Sequence, residues 1–128
     1  DFCLSRGLGD VYKRQLLRCD ADKIQRVFDN LLRNGIIYSF PNTSITISAE
    51  QQKEQVKIIF ENRGNTISEE KLEQIFEQFY RLDAGRGTDG GAGLGLAIAK
   101  QIVELHRGSI FAQSEGEVIR FTVTLPLS

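Results

Sequence analysis

From Leu16 onward, the apolar and polar positions follow periods that predict regular secondary structure. Apolar side chains recur at the spacing of an amphipathic helix at Ile24, Val27, Phe28, Leu31 and Leu32. Asp20 or Asp22 is the candidate N-cap of this helix, because a carboxylate accepts hydrogen bonds from the first backbone N–H groups. Residues 39–42, which include Pro41, predict the end of the helix and a turn.

Two segments after this helix have the pattern of β-strands. Residues 43–49 alternate isoleucine with serine and threonine, and residues 56–61 form a second, largely apolar run. The polar residues 51–54 between them predict a turn. We therefore expect the two strands to form an antiparallel hairpin.

The second half of the chain predicts two more helices and two more strands. Ser68, followed by two glutamates, is a favourable helix N-cap. The apolar stripe of this second helix is Leu72, Ile75, Phe76 and Phe79. A third helix is predicted over residues 94–106, with Gly108 as its C-cap glycine. The last strands are predicted at 109–113 and 118–125.

This order of elements predicts an α/β two-layer sandwich, in which a mixed, mostly antiparallel sheet is covered on one face by helices. The length of 128 residues fits one domain. Residues 1–15 show neither strand alternation nor a helical stripe, so we expect the domain to occupy residues 16–128. We interpret residues 1–15 as a linker or as a remnant of cloning or sequencing.

Composition excludes several classes of protein. The net charge of −1 gives no electrostatic reason to expect nucleic acid or an anionic membrane as a partner. No apolar stretch approaches the roughly 20 residues that span a bilayer. The two cysteines, Cys3 and Cys19, have no histidine neighbours, so they predict no metal site and favour a reducing compartment.

Glycine is concentrated in one segment. Six of the 12 glycines lie from Gly85 to Gly95, and residues 91–96 (Gly-Ala-Gly-Leu-Gly-Leu) lead directly into the predicted third helix. Bare backbone at a helix N-terminus points N–H groups outward and favours phosphate. The alternative is a flexible surface loop, because short glycine patterns are weakly specific.

Three polar side chains of the first helix share one face, because Asn30, Asn34 and Tyr38 are four residues apart. Asparagine is a poor helix former, so two in one helix interior reduce its stability. Asn34 offers an oxygen ligand of the kind that Mg²⁺ prefers. The alternative is a pair of solvated amides on an exposed face.

The second predicted strand ends in Glu61-Asn62-Arg63-Gly64. A polar side chain at a strand end, with a glycine two residues later, is suited to reading the edge of a nucleobase. The alternative is a simple turn.

The order and spacing of these motifs resemble the catalytic, ATP-binding domain of bacterial sensor histidine kinases over residues 18–126. The matching motifs are Asn34, Asn62-x-Gly64, Phe76-x-x-Phe79 and the glycine segment 91–96. The vancomycin-resistance type of sensor is especially similar, in residues 79–83 and 90–100. The resemblance implies a domain that holds Mg·ATP for phosphoryl transfer to a histidine on a separate dimerisation helix.

The resemblance also implies roles for individual residues. Asn34 is the implied Mg²⁺ ligand, Asn30 lies near the phosphates, and Tyr38 lies against the adenine ring. Asn62 stands where the family usually has an aspartate that accepts from the adenine amino group, and Gly64 lets the nucleotide approach. The remaining implied residues meet the triphosphate, form the lid at 82–92 or provide the aromatic anchor of that lid. They are Phe76, Phe79, Arg81, Arg86, Gly91, Gly93, Leu94, Gly95 and Leu96.

Some positions depart from the family pattern. Asn62 lacks the charge of aspartate, which is expected to weaken adenine binding by roughly 1–2 kcal/mol. Thr66 stands where a second glycine is common, and Ile37 where a phosphate-binding lysine or arginine is common. Gly35 replaces an alanine, and Val118 replaces the last glycine.

Asn30 also bears on the type of reaction. Related ATPases have a glutamate there that activates water, whereas an amide cannot take a proton at neutral pH. We therefore expect ATP to be held without hydrolysis. An ATPase is one alternative, and a non-catalytic, anti-sigma-type ATP-binding interaction module is another.

The phospho-accepting histidine is expected outside this chain. His106 is followed by Arg107 rather than by an acidic residue, so it is interpreted as a histidine at a helix C-terminus. The expected partners are ATP, the dimerisation helix of the same parent kinase and, indirectly, a response regulator. The resemblance further implies a cytoplasmic domain of a parent protein in the bacterial cell membrane.

Overall fold

The structure, a computed structural model, describes residues 20–77 and 95–127. Its elements are α1 (Ala21–Tyr38), β1 (Thr46–Gln52), β2 (Gln55–Arg63), α2 (Glu69–Gln74), α3 (Gly95–Leu105), β3 (Ser109–Glu115) and β4 (Val118–Pro126). Each corresponds to a predicted element. The first strand begins and ends three residues later than predicted, and α2 ends at Gln74, before Ile75 and Phe76 of its predicted apolar stripe. Within the described ranges, no helix is long and apolar enough to cross a bilayer.

The four strands form one sheet in the order β1-β2-β4-β3. The hairpins β1–β2 and β3–β4 are joined through the antiparallel pairing of β2 with β4, in which Phe60 lies opposite Phe121. All three pairings among the described strands are antiparallel. The predicted two-layer sandwich is confirmed, because the helices pack on one face of this sheet.

The hydrophobic core lies between that face and the helices. In β2, alternate residues are buried, beginning with Val56, Ile58 and Phe60. They join the buried residues of α1 and α3, such as Val27 and Val103, in one cluster. Removal of this apolar surface from water is the main force that holds the helices on the sheet.

The start of each of the first two helices is capped as the sequence predicts. Of the two candidates at α1, Asp20 is the N-cap, and its Oδ1 accepts a hydrogen bond from the backbone N–H of Lys23 at 3.3 Å. Ser68 is the N-cap of α2, and its Oγ accepts from the N–H of Lys71 at 3.4 Å. Each side chain thus pairs one helical N–H group that has no partner within the helix.

His106 lies directly after α3, as expected of a helix-terminal histidine. Its Nδ1 lies 2.8 Å from the carbonyl oxygen of Ile102, and its Nε2 accepts from the backbone N–H of Asp20 at 3.0 Å. Nε2 can accept only when it carries no proton, so Nδ1 is the protonated nitrogen and donates to Ile102. The imidazole therefore connects the end of α3 to the start of α1.

The prediction of Gly108 as the C-cap glycine of this helix is wrong. Arg107, with a φ of 63°, is the residue in the left-handed conformation. The N–H of Arg107 donates to Glu104 at 3.0 Å and that of Gly108 donates to Val103 at 2.9 Å, the pattern of a Schellman motif. Gly108 is required for packing instead, because a Cβ there would collide with the carbonyl oxygen of Thr124.

Candidate functional site

The polar face predicted for the first helix borders the core. Asn30, Asn34 and Tyr38 are each half-buried. They lie beside the fully buried stripe that includes Leu31 and Gly35. Their side chains therefore occupy a boundary between core and solvent, where a polar ligand can be partly shielded from water.

Asn30 connects this helix to the start of α3. Its side-chain Nδ2 donates a hydrogen bond to the carbonyl oxygen of Gly95 at 3.0 Å. Gly95 is the first residue of α3, where unpaired backbone N–H groups favour an anion. The structure thus brings together two predicted site residues that are 65 positions apart.

Among the residues that the structure describes, neither packing nor backbone conformation requires a glycine at position 95. A Cβ there would lie 3.7 Å from Cγ of Asn30, which is an ordinary van der Waals distance. Its φ is not in the left-handed region either. The described contacts therefore do not explain why the first residue of α3 has no side chain. Bare backbone there favours the close approach of a ligand.

The end of β2 carries the second part of the site. Asn62 and Gly64 continue the helix-facing positions of this strand and are both buried. Asn62 is only 5% exposed, and its Nδ2 has no hydrogen-bond partner among the described residues. A buried amide donor without a partner costs about 1–3 kcal/mol, so this atom is a candidate for contact with a ligand.

Gly64 has a structural role that the motif does not reveal. A Cβ at this position would collide with the carbonyl oxygen of Tyr38, at the end of α1. The two segments are held together by an antiparallel bridge between Ser39 and Gly64. They are also joined by a hydrogen bond from the N–H of Phe40 to the carbonyl of Arg63 at 2.8 Å. The glycine therefore lets helix backbone approach the strand, and its approach to a nucleotide stays a prediction.

Two residues to which the motif analysis gave no role, Thr66 and Ile67, fix the segment after Gly64. The hydroxyl of Thr66 donates to the carbonyl oxygen of Gly116, and the N–H of Ile67 donates to Oγ of Ser114 at 2.9 Å. These contacts tie the exit of β2 to the β3–β4 hairpin. No local signal in the sequence indicates them, because the partners lie about 50 residues away.

Phe76 lies just beyond α2 and packs against the core. Its ring meets that of Phe121 edge to face, with 6.0 Å between ring centroids. The ammonium of Lys100 lies 5.8 Å from the centroid of the Phe76 ring, within the range of a cation–π contact. Phe76 thus joins α2, α3 and the sheet, and its role as an anchor of the lid stays a prediction.

Several predicted residues lie outside the part of the chain that the structure describes. They are Phe79, Arg81, Arg86, Gly91, Gly93 and Leu94, together with the predicted lid at 82–92. Leu96 is described, and it packs half-buried against the core.

A groove of about 670 Å³ between α2 and β3 is separate from these asparagines. Its lining includes Glu69, Glu73 and Glu115. One cation among the described residues, Lys100, also lines the groove, so the three carboxylates leave a net negative charge that disfavours a triphosphate.

The described residues provide no group of three or more histidine, cysteine, aspartate or glutamate side chains that could hold a metal ion. A metal at Asn34 would therefore need ligands from a bound molecule and from water. Mg²⁺ is suited to this, because it commonly binds through one or two protein oxygens together with substrate phosphates and waters.

Comparison with known proteins gives matches to one family. Residues 19–128 match the family model described as "Histidine kinase-, DNA gyrase B-, and HSP90-like ATPase". The chain is 50% identical over 108 residues to sensor protein VanS of Enterococcus faecium, which covers 84% of this chain and 28% of VanS. It is 44% identical over 118 residues to sensor protein VanSC of Enterococcus gallinarum, covering 91% of this chain and 32% of VanSC. The chain thus spans about a third or less of these relatives.

Solved structures give the same fold. The nucleotide-free catalytic domain of histidine kinase ThkA superposes with a TM-score of 0.76 at 28% identity, covering 91% of this chain and 75% of that chain. A mycobacterial sensor histidine kinase, MprB, superposes with a TM-score of 0.79 at 24% identity, covering 89% and 78%. At 24% identity, the similarity to MprB supports the fold alone.

Proposed function

Because this chain belongs to the family of histidine kinase-, DNA gyrase B- and HSP90-like ATPases, we propose that it holds Mg·ATP for phosphoryl transfer to a histidine on a separate dimerisation helix. Its relatives and structural neighbours include sensor proteins and histidine kinase catalytic domains. The resemblance predicted from the motifs is therefore confirmed at the level of the family and of the catalytic domain.

The observation that carries the proposal is the contact between Asn30 and Gly95. It places the polar face of α1 against the start of α3, where the first backbone N–H groups have no partner within the helix and favour phosphate. Asn34 and Tyr38 follow along α1, and Tyr38 adjoins Gly64 near Asn62. At 1.5 Å per residue, Asn30 and Tyr38 are about 12 Å apart along the helix axis. The proposed site therefore runs from a phosphate end at Gly95 to a base end at Asn62.

Asn34 lies one turn from Asn30, and we assign it to Mg²⁺. Its amide oxygen is a hard ligand, and phosphate oxygens and water would complete the coordination. A bound Mg²⁺ would supply positive charge against the triphosphate. Asn34 itself would fix where that charge sits relative to α3.

Asn30 supports transfer to a presented histidine rather than hydrolysis. An amide cannot act as a general base at neutral pH, and its Nδ2 is already engaged with Gly95. Phosphoryl transfer depends mainly on positioning and on neutralisation of charge. The domain can contribute both without a base of its own.

The proposed lid and its contacts rest on the resemblance. Arg81 and Arg86 are assigned to the triphosphate, and Gly91 and Gly93 to the close approach of backbone to phosphate. Phe79 is assigned with Phe76 to the anchor of the lid. We also propose that the parent is a sensor kinase of the bacterial membrane with this domain in the cytoplasm, and that a response regulator receives the phosphoryl group.

Binding and transfer can be tested with the purified chain. Mg·ATP is titrated by calorimetry, and a dimerisation-helix fragment of the Enterococcus faecium relative is then added with labelled ATP. Micromolar to millimolar binding and an acid-labile label on the helix fragment are expected. Absence of binding at millimolar Mg·ATP would refute the nucleotide site. A fragment with its phospho-accepting histidine replaced is the control for the site of transfer.

The same experiment separates the two other functions. Steady release of inorganic phosphate without label on the helix would favour an ATPase. Binding of Mg·ATP with neither transfer nor hydrolysis would favour an anti-sigma-type interaction module. The sensor and kinase relatives support the kinase over both.

A further inference from the structure

Among the candidate site residues that the structure describes, Asn62 differs from the others because its side chain is almost fully buried and its amide is incompletely hydrogen-bonded. It is 5% exposed, and its Nδ2 lacks a hydrogen-bond partner among the described residues. Burial of an amide donor without a partner is unfavourable, and such groups in folded proteins nearly always meet a partner. A ligand that brings an acceptor to this atom would satisfy it.

The amide of Asn62 lies beside Gly64, where packing is close. Nδ2 is 3.5 Å from the point where a Cβ of Gly64 would stand, and that point is already occupied by the carbonyl oxygen of Tyr38 and flanked by Cδ1 of Ile119 at 3.1 Å. Ile119 is the register partner of Asn62 on β4, so the two side chains lie on the same face of the sheet. A base that reaches this amide would therefore meet the apolar side chain of Ile119 and one polar side chain, that of Asn62.

From the burial of Asn62 and its unpaired donor we infer that this residue relaxes the choice of nucleobase, so that the site accepts purines with either an amino group or a carbonyl group at position 6. This inference rests on the proposed nucleotide site. A carboxylate only accepts hydrogen bonds, so it would favour a 6-amino group and repel a 6-carbonyl oxygen. An amide both donates and accepts, and rotation of its terminal group exchanges the two. Asn62 can therefore donate to a carbonyl oxygen or accept from an amino group.

The unsubstituted chain provides the first test. Dissociation constants of Mg·ATP and of Mg·inosine triphosphate are measured by calorimetry, because inosine differs from adenosine at position 6 and at the adjacent ring nitrogen. We expect the two constants to agree within about tenfold, since a neutral hydrogen bond is available to either base. A preference for ATP greater than this would overturn the inference while leaving the nucleotide site intact. Failure of both nucleotides to bind would overturn the site and the inference together.

Substitution provides the second test. Asn62→Asp is expected to raise the ratio of the inosine triphosphate constant to the ATP constant by at least about tenfold, because the charged acceptor strengthens one contact and repels the other. Gln113→Glu makes the same amide-to-carboxylate change on the exposed side of β3 and should leave the ratio unchanged. An unchanged ratio in folded Asn62→Asp protein would overturn the inference. If that variant does not fold, the measurement on the unsubstituted chain decides.

Discussion

The side-chain amide of Asn30 donates to the main-chain carbonyl of Gly95, with 3.0 Å between nitrogen and oxygen. This contact fixes the start of α3 against the middle of α1. It uses the donor of Asn30, the one part of the side chain that aspartate cannot reproduce. Replacement of Asn30 by aspartate therefore changes the hydrogen bonding of the side chain with little change in its shape.

Asn30→Asp is expected to lower the free energy of unfolding by about 1–2 kcal/mol, because a carboxylate would face a carbonyl oxygen in place of a donor. The two residues have similar helix propensity, so the change reports on the contact. Urea unfolding measures it. Asp29→Asn, on the neighbouring exposed position, makes the reverse change and should stay within about 0.5 kcal/mol of the original stability. Equal stability of the two variants would show that the contact contributes nothing.

Asn34→Ala is expected to abolish Mg²⁺-dependent ATP binding while the fold is retained. Alanine is the better helix former, by a few tenths of a kcal/mol or more, so the stability of α1 should not fall. Calorimetry with and without Mg²⁺ measures binding, and thermal unfolding measures stability. Retained Mg²⁺-dependent affinity in the variant would remove Asn34 from the proposed role. Asn65→Ala, at an exposed position after β2, is the control.

Gly35→Ala is expected to stabilise the domain by about 0.5–1 kcal/mol through helix propensity. Within the described part of the chain, a Cβ at this position would meet the end of the Ile45 side chain, at 3.4 Å, which can adjust. Chemical denaturation provides the measurement. A loss of stability would mean that α1 and the segment before β1 are packed too tightly to admit a methyl group.

Gly64→Ala is expected to have the opposite effect, with a loss of at least about 2 kcal/mol from overpacking. The new methyl group would collide with the backbone oxygen of Tyr38, and backbone cannot move aside as a flexible side chain can. Gly35→Ala is the matched control, because it adds the same group to the same helix–sheet layer. Similar stability of both variants would contradict the close approach of α1 to β2.

Arg107→Gly is expected to stabilise the domain by about 0.5–1 kcal/mol, because glycine adopts the left-handed conformation at φ 63° without the steric strain of a side chain. The gain is measured as an increase in the unfolding midpoint. Glu104→Gly, in the last turn of α3, should instead destabilise the protein by roughly 1 kcal/mol. A loss at both positions would show that the side chain of Arg107 contributes more than its conformation costs.

The sequence alone was sufficient for the order of the elements and for the buried faces of α1 and β2. The periodicity of α1, the alternation in β2 and the caps at Asp20 and Ser68 are local properties, because each depends on residues within one or two turns. The same holds for the glycine segment and for the asparagines one turn apart on α1. These local patterns were enough to indicate the family and a candidate nucleotide site.

Tertiary structure decided which of these residues meet and why some glycines are present. Asn30 reaches Gly95 across 65 positions, and Gly64 is required by the backbone of Tyr38. The left-handed residue after α3 is Arg107, although a glycine follows it directly. Such outcomes depend on the distance between elements packed in the core, and local spacing carries no information on that distance. The Nδ2 of Asn62, which has no partner among the described residues, likewise becomes notable only once burial has removed it from water.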